Sequence, residues 1–104
     1  MREIINTTGA PGAIGPYSQA VKVNGMLFVS GQLPLDPATG AFAGSDIASQ
    51  TRQSLANLKN IVEAADLSLA DVVRVGVFLK DMNDFAAMNE VYGTFFTSDC
   101  PARA

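Results

Sequence analysis

From Ala20 the chain alternates, with Val21 and Val23 leading to Asn24-Gly25 and an apolar run resuming from Met26 to Val29. Asn and Gly tolerate the positive φ angles of a type I′ turn, whose twist matches that of two paired strands, so this stretch predicts a β-hairpin. A breaker-rich loop, LPLDPATGAFAGS, follows. Ser45 or Asp46 can then cap a helix in which Ile47, Thr51, Leu55, Leu58, Val62 and Ala65 recur at steps of three and four, leaving Arg52, Lys59 and Glu63 outside. After a turn from Leu67 to Asp71 comes VVRVGVFLK, a β-branched run. Its alternation predicts a strand with Val73, Val75, Val77 and Leu79 against a helix, and Val72, Arg74, Gly76 and Phe78 on a second face turned towards other subunits.

Asn83 or Asp84 can cap a second helix, FAAMNEVYGTFF, with Phe85, Met88, Tyr92 and Phe95 as its apolar stripe. The order is ββαβα, an α+β arrangement with a mixed sheet and both helices on one face, because β-α-β crossovers are right-handed. That order invites a closing strand, and the sequence reaches PARA without one, so a cut-short chain is the expectation. The earlier segment TTGAPGAIGPYS is dense in glycine and proline and reads as a loop. It lacks the preceding strand and the Lys-Ser/Thr of a phosphate-binding loop.

Composition narrows the chemistry. With 104 residues, 48% of them hydrophobic, the chain predicts one domain spanning 1–104. At this size only about two-thirds of the unfolded surface is buried, so oligomerisation is expected to add stability. The formal charge is −3, and the seven basic residues are scattered rather than gathered into a phosphate-tracking stripe, which argues against nucleic acid as the main partner. No apolar stretch approaches the roughly 20 residues of a membrane span, and the acidic, polar start is unlike a signal peptide, so a cytoplasmic location is expected. Histidine is absent and Cys100 stands alone, which excludes Ser-His relays and the usual zinc sites; no metal and no cofactor are expected.

Few residues are left to carry chemistry. Asp81 and Asp84 are close in sequence, but both lie at a strand-to-helix turn, where capping is the reading we take over paired-carboxylate catalysis. Arg103, after Pro101, could hold a substrate carboxylate with two parallel hydrogen bonds. Tyr17 in the Gly/Pro loop could wall a pocket and hydrogen-bond a ligand, and Asn89 projects one helical turn after Phe85.

The text around these residues is more specific. IGPYSQA at 14–20, VSGQLPLDPATG at 29–40, FLKDMNDFAAMNEVY at 78–92 and PAR at 101–103 resemble, in order and spacing, the RidA/YjgF family of reactive-intermediate deaminases. Its members also carry the labels translation initiation inhibitor and endoribonuclease. The resemblance implies a chorismate-mutase-like α+β fold of order ββαβαββ, here without its last strands, assembled as a homotrimer with pockets at the subunit interfaces. It implies cofactor-free hydrolysis of 2-aminoacrylate-type enamines and imines to 2-oxo acids and ammonia. By motif position Arg103 would be the catalytic clamp on the substrate carboxylate, and Tyr17, Ser30, Gly31, Phe85 and Asn89 would line the pocket. The family's acidic residue on the last strand would follow the arginine. The alternative is a module that binds 2-oxo acids without turnover; a ribonuclease role has little support in an acidic, histidine-free chain.

Overall fold

The computed structural model describes residues 1–104 and begins with a strand, β1 (Arg2–Ile5), that pairs antiparallel with β2 (Ala20–Val23). β2 in turn pairs with β3 (Met26–Val29) through the expected hairpin. Asn24 and Gly25 at its tip take φ values of 51° and 76°, the left-handed pair a type I′ turn requires. The sheet order is therefore β1-β2-β3.

Helix α1 (Ile47–Ala64) starts at Asp46, whose Oδ2 accepts the Ser49 N–H at 2.9 Å. It stops in a Schellman motif: Asp66 takes φ 62°, and the Asp66 and Leu67 amides donate back to the Glu63 and Val62 carbonyls. One part of its face packs Ile61 and Ala65 onto Ile5, Ala10 and Ala20 of the sheet side. Another packs Leu55 against Met88, Tyr92 and Phe96 of helix α2 (Phe85–Phe95) and its end. Val72, Val75, Val77 and Leu79 close this second cluster.

Several expectations need correcting. The run 72–80 forms a strand at β4 (Arg74–Val75), with Val73 and Val77 also bonded to the C-terminal segment; Val75, Val77 and Leu79 pack on the helices as expected, but at its start Val72 packs inward while Val73 is 81% exposed. A single 3-10 turn, Leu69–Asp71, is capped by the Val72 N–H donating to the Leu69 carbonyl, so the alternation begins later than the β-branched text suggests. The chain does meet a further strand, β5 (Ala102–Arg103), parallel to β4, which PARA was not expected to form. The strands make two sheets, β1-β2-β3 and β4-β5, rather than one mixed sheet. At α2 the capping side chain is Asp81, which accepts the Asn83 N–H at the head of a 3-10 turn; Asp84 occupies the N-cap position without a side-chain bond. Val91 and Phe96, rather than Phe85, join Met88 and Tyr92 in the buried stripe.

The molecule is a slab about 18 Å thick, which leaves the sheet side away from the helices uncovered. Ile4, Met26 and Phe28 are exposed there, and Phe78 beyond β4 is fully so.

Candidate functional site

Arg103 is placed by backbone pairing. The Ala102 N–H donates to Val73 at 3.0 Å and the Ala104 N–H to Val75 at 3.1 Å, which holds Arg103 in register with Val75. Its side chain meets helix α2, where Phe85, Asn89 and Tyr92 fall at steps of four and three and so share one face. Nη1 donates to the Asn89 Oδ1 at 2.7 Å. The guanidinium carbon lies 5.5 Å from the Phe85 ring centroid and 4.7 Å from that of Tyr92, both within cation-π range.

No acidic side chain is among these partners, so the positive charge is held by an amide and two ring faces and is not neutralised. Nε and Nη2 make no hydrogen bond within the chain, and β5 is exposed. That free edge is the planar donor pair which matches a carboxylate. Burial pushes the Tyr92 hydroxyl above the ordinary tyrosine pKa, with Arg103 opposing the shift, so the phenol stays protonated across the physiological range.

Tyr17 and Ser30 sit elsewhere. They share an open groove of about 580 Å³ with Arg2, Ser18 and Phe28, and none of Phe85, Asn89 and Arg103 lines it. The Ser30 hydroxyl donates to the Ser18 carbonyl at 2.6 Å, and its amide donates to the Gln19 carbonyl at 2.9 Å, so β3 is stitched to the end of the Gly/Pro loop. Half-exposed Tyr17 receives only a long contact of 3.5 Å from the Ile14 amide, leaving its hydroxyl available. At Gly31 a side chain would meet nothing within 4 Å, so the backbone there is open to approach.

The structure thus brings Phe85, Asn89 and Arg103 together and gathers Tyr17 and Ser30 into a second group. Sequence reasoning missed two participants. Tyr92 was read only as core, although its i+7 spacing from Phe85 and i+3 from Asn89 was visible. Gln19 was not singled out within IGPYSQA; its amide accepts the Thr7 N–H at 2.7 Å and donates to the carbonyls of Thr7, Ala10 and Pro11. The structure contains no group of three or more His, Cys, Asp or Glu side chains suited to a metal ion. No helix is long and apolar enough to cross a membrane.

Residues 7–104 match the family model described as endoribonuclease L-PSP. The chain belongs to this family, that of the Rid and YjgF proteins. A RutC family protein of Pyrococcus horikoshii is 57% identical over 99% of this chain and 82% of its own length. The 2-iminobutanoate/2-iminopropanoate deaminase of Salmonella typhimurium is 51% identical over 100% of this chain and 83% of its own. Among solved structures, E. coli TdcF with bound serine superposes with a TM-score of 0.94 at 48% identity, covering 98% of this chain and 82% of that one. Such agreement makes the chorismate-mutase-like α+β fold of the family the fold of this chain.

Proposed function

We propose that this chain hydrolyses 2-imino acids and their enamine tautomers to 2-oxo acids and ammonia. The observation that carries the reading is Arg103, an exposed cation seated on two rings with its Nε/Nη2 edge unpaired and no acid beside it. A relative of 51% identity is named for this reaction, and another holds serine, itself an amino acid with a carboxylate. The imine carbon is already electrophilic, so orientation and a positioned water are the main requirements. Arg103 would fix the carboxylate; water would add to C2, and the resulting carbinolamine would expel ammonia to leave the 2-oxo acid.

Two groups of pocket residues on one chain, each open to solvent, suit a homotrimer in which Tyr17, Ser30 and Gly31 of one copy face Phe85, Asn89 and Arg103 of another. The exposed Phe28 beside the first group and the uncovered Phe78 supply apolar area for such an interface. We place the working assembly in the cytoplasm, as one domain, without cofactor.

A second reading, binding of 2-oxo acids without turnover, is favoured by one fact: no acid or base of this chain lies against Arg103 apart from the protonated Tyr92. One assay separates the two. Ammonia release from enzymatically generated 2-iminobutanoate should be accelerated by the protein, and Arg103→Ala should lose about 2–4 kcal/mol of transition-state stabilisation, roughly 30- to 1000-fold in kcat/KM. Arg103→Lys should recover only part. Binding of 2-oxobutanoate without ammonia release would establish the second reading, and wild-type rates in a folded Arg103→Ala protein would refute the first.

A further inference from the structure

We infer that Tyr92 is a positioning residue for Arg103, its ring forming the floor that sets the guanidinium plane for a substrate carboxylate. The inference rests on the reading of Arg103 as the carboxylate clamp. Tyr92 is 6% exposed and its hydroxyl has no hydrogen-bond partner. The hydroxyl makes no bond that could position Arg103, so any such role falls to the ring. Besides its packing on Leu55 and Met88, the ring meets one cation and one aromatic ring. One face lies 4.7 Å from the Arg103 guanidinium carbon, and the ring of Phe96 lies 4.8 Å away, tilted by 36°.

Phe96 is itself buried, at 6% exposure, so Tyr92 is held from the core side while it supports the arginine. Phe85, at 5.5 Å and 43% exposed, is the looser of the two rings. A long, flexible side chain on an exposed strand would otherwise sample many rotamers. Asn89 fixes one nitrogen of the guanidinium, and a single hydrogen bond leaves rotation about that contact free. The Tyr92 face removes this freedom by setting the plane, which turns the Nε/Nη2 edge into a pre-formed fork.

The variants that test this are Tyr92→Phe, which keeps the ring and removes the stranded hydroxyl, and Tyr92→Leu, which keeps an apolar filling and removes the ring. Tyr92→Phe should bind 2-oxobutanoate within twofold of wild type. Tyr92→Leu should bind it about tenfold more weakly, with KM rising in parallel and kcat within twofold in both, because orientation of the carboxylate and not the chemical step is disturbed. An independent signature is the Arg103 Hε resonance, assigned with Arg103→Lys. It should lie upfield in wild type and Tyr92→Phe through the ring current, and move downfield in Tyr92→Leu.

A folded Tyr92→Leu protein with wild-type affinity and an unmoved Arg103 resonance would overturn the inference. If Tyr92→Leu does not fold, the wild-type spectrum decides, since an Hε at its unstructured position contradicts the seat. If wild type neither binds 2-oxobutanoate nor releases ammonia, yet the resonance is upfield and the ring controls it, the functional reading fails and the positioning role stands.

Discussion

Replacing Gln19 by leucine tests whether one buried amide organises the loop that carries Tyr17. Gln19 is 4% exposed, and leucine preserves most of its volume while deleting every side-chain hydrogen bond. The amide oxygen accepts from Thr7 N at 2.7 Å, and Nε2 reaches the carbonyls of Pro11 at 2.9 Å, Thr7 at 3.1 Å and Ala10 at 3.3 Å. Two hydrogens on Nε2 serve three acceptors, so the set amounts to roughly three full bonds, each contributing about 0.5–1.5 kcal/mol net. Ala10 is buried and cannot turn to water, whereas Thr7 and Pro11 are partly exposed and can. The expected loss is therefore about 2–4 kcal/mol, a large share of the ~5–15 kcal/mol that keeps a domain folded.

Urea unfolding followed by circular dichroism measures this directly, with the slope unchanged if only stability is altered. Hydrogen exchange supplies the local readout: the Thr7 amide should lose its protection in Gln19→Leu while the helix α1 amides keep their order relative to one another. A loss below about 1 kcal/mol, with Thr7 still protected, would show that loop 7–18 is held by something other than this amide.

Two further outcomes follow from backbone geometry and titration. Gly25→Ala should cost about 1 kcal/mol in thermal unfolding, because φ is +76° there although nothing crowds the site, and an unchanged midpoint would contradict the turn assignment. The hydrogen bond from the Ser49 amide holds the Asp46 carboxyl below its ordinary value of 3.8, so the stabilisation it provides is complete above that value and is lost as the pH falls below it through the folded pKa. Asp46→Asn, which keeps a cap without the charge, should flatten that acid limb of stability, and an identical pH profile in both proteins would refute the assignment.

The elements legible in the sequence were those whose determinants are local. The Asn24-Gly25 turn and the Asp46 cap are each decided within four residues, and both appear as read. β1 escaped because REII is short and pairs only with residues 15 to 21 positions later. β5 escaped because two residues become a strand only through Val73, Val75 and Val77. The phase error at Val72 and Val73 came from treating a β-branched run as paired strand from its first residue, although Val72 still caps the preceding 3-10 turn. Motif text singled out Phe85, Asn89 and Arg103, and they do meet. That Tyr17 and Ser30 line a different groove is a tertiary fact with no sequence signal.

Helix α1 carries no proposed pocket residue, yet it governs the loops around them. Asn57 is fully buried, and its Nδ2 donates to the carbonyls of Leu33 and Leu35 while Gln53 donates to its Oδ1. One turn on, Asn60 donates to the Gly9 carbonyl at 2.7 Å, at a point where a side chain on residue 9 would crowd Asn60 to 3.1 Å. Irregular backbone satisfies only part of its own polar groups, and both Gly/Pro-rich segments take further donors from the same helix. Gln19 then ties the first segment to the start of β2. The positions of Tyr17, Ser18 and Ser30 therefore depend on a rigid element that neither lines their groove nor makes a hydrogen bond to Arg103. Since α1 also packs Leu55 against Met88, Tyr92 and Phe96, the same helix supports both groups of pocket residues, one through amides and the other through apolar contact.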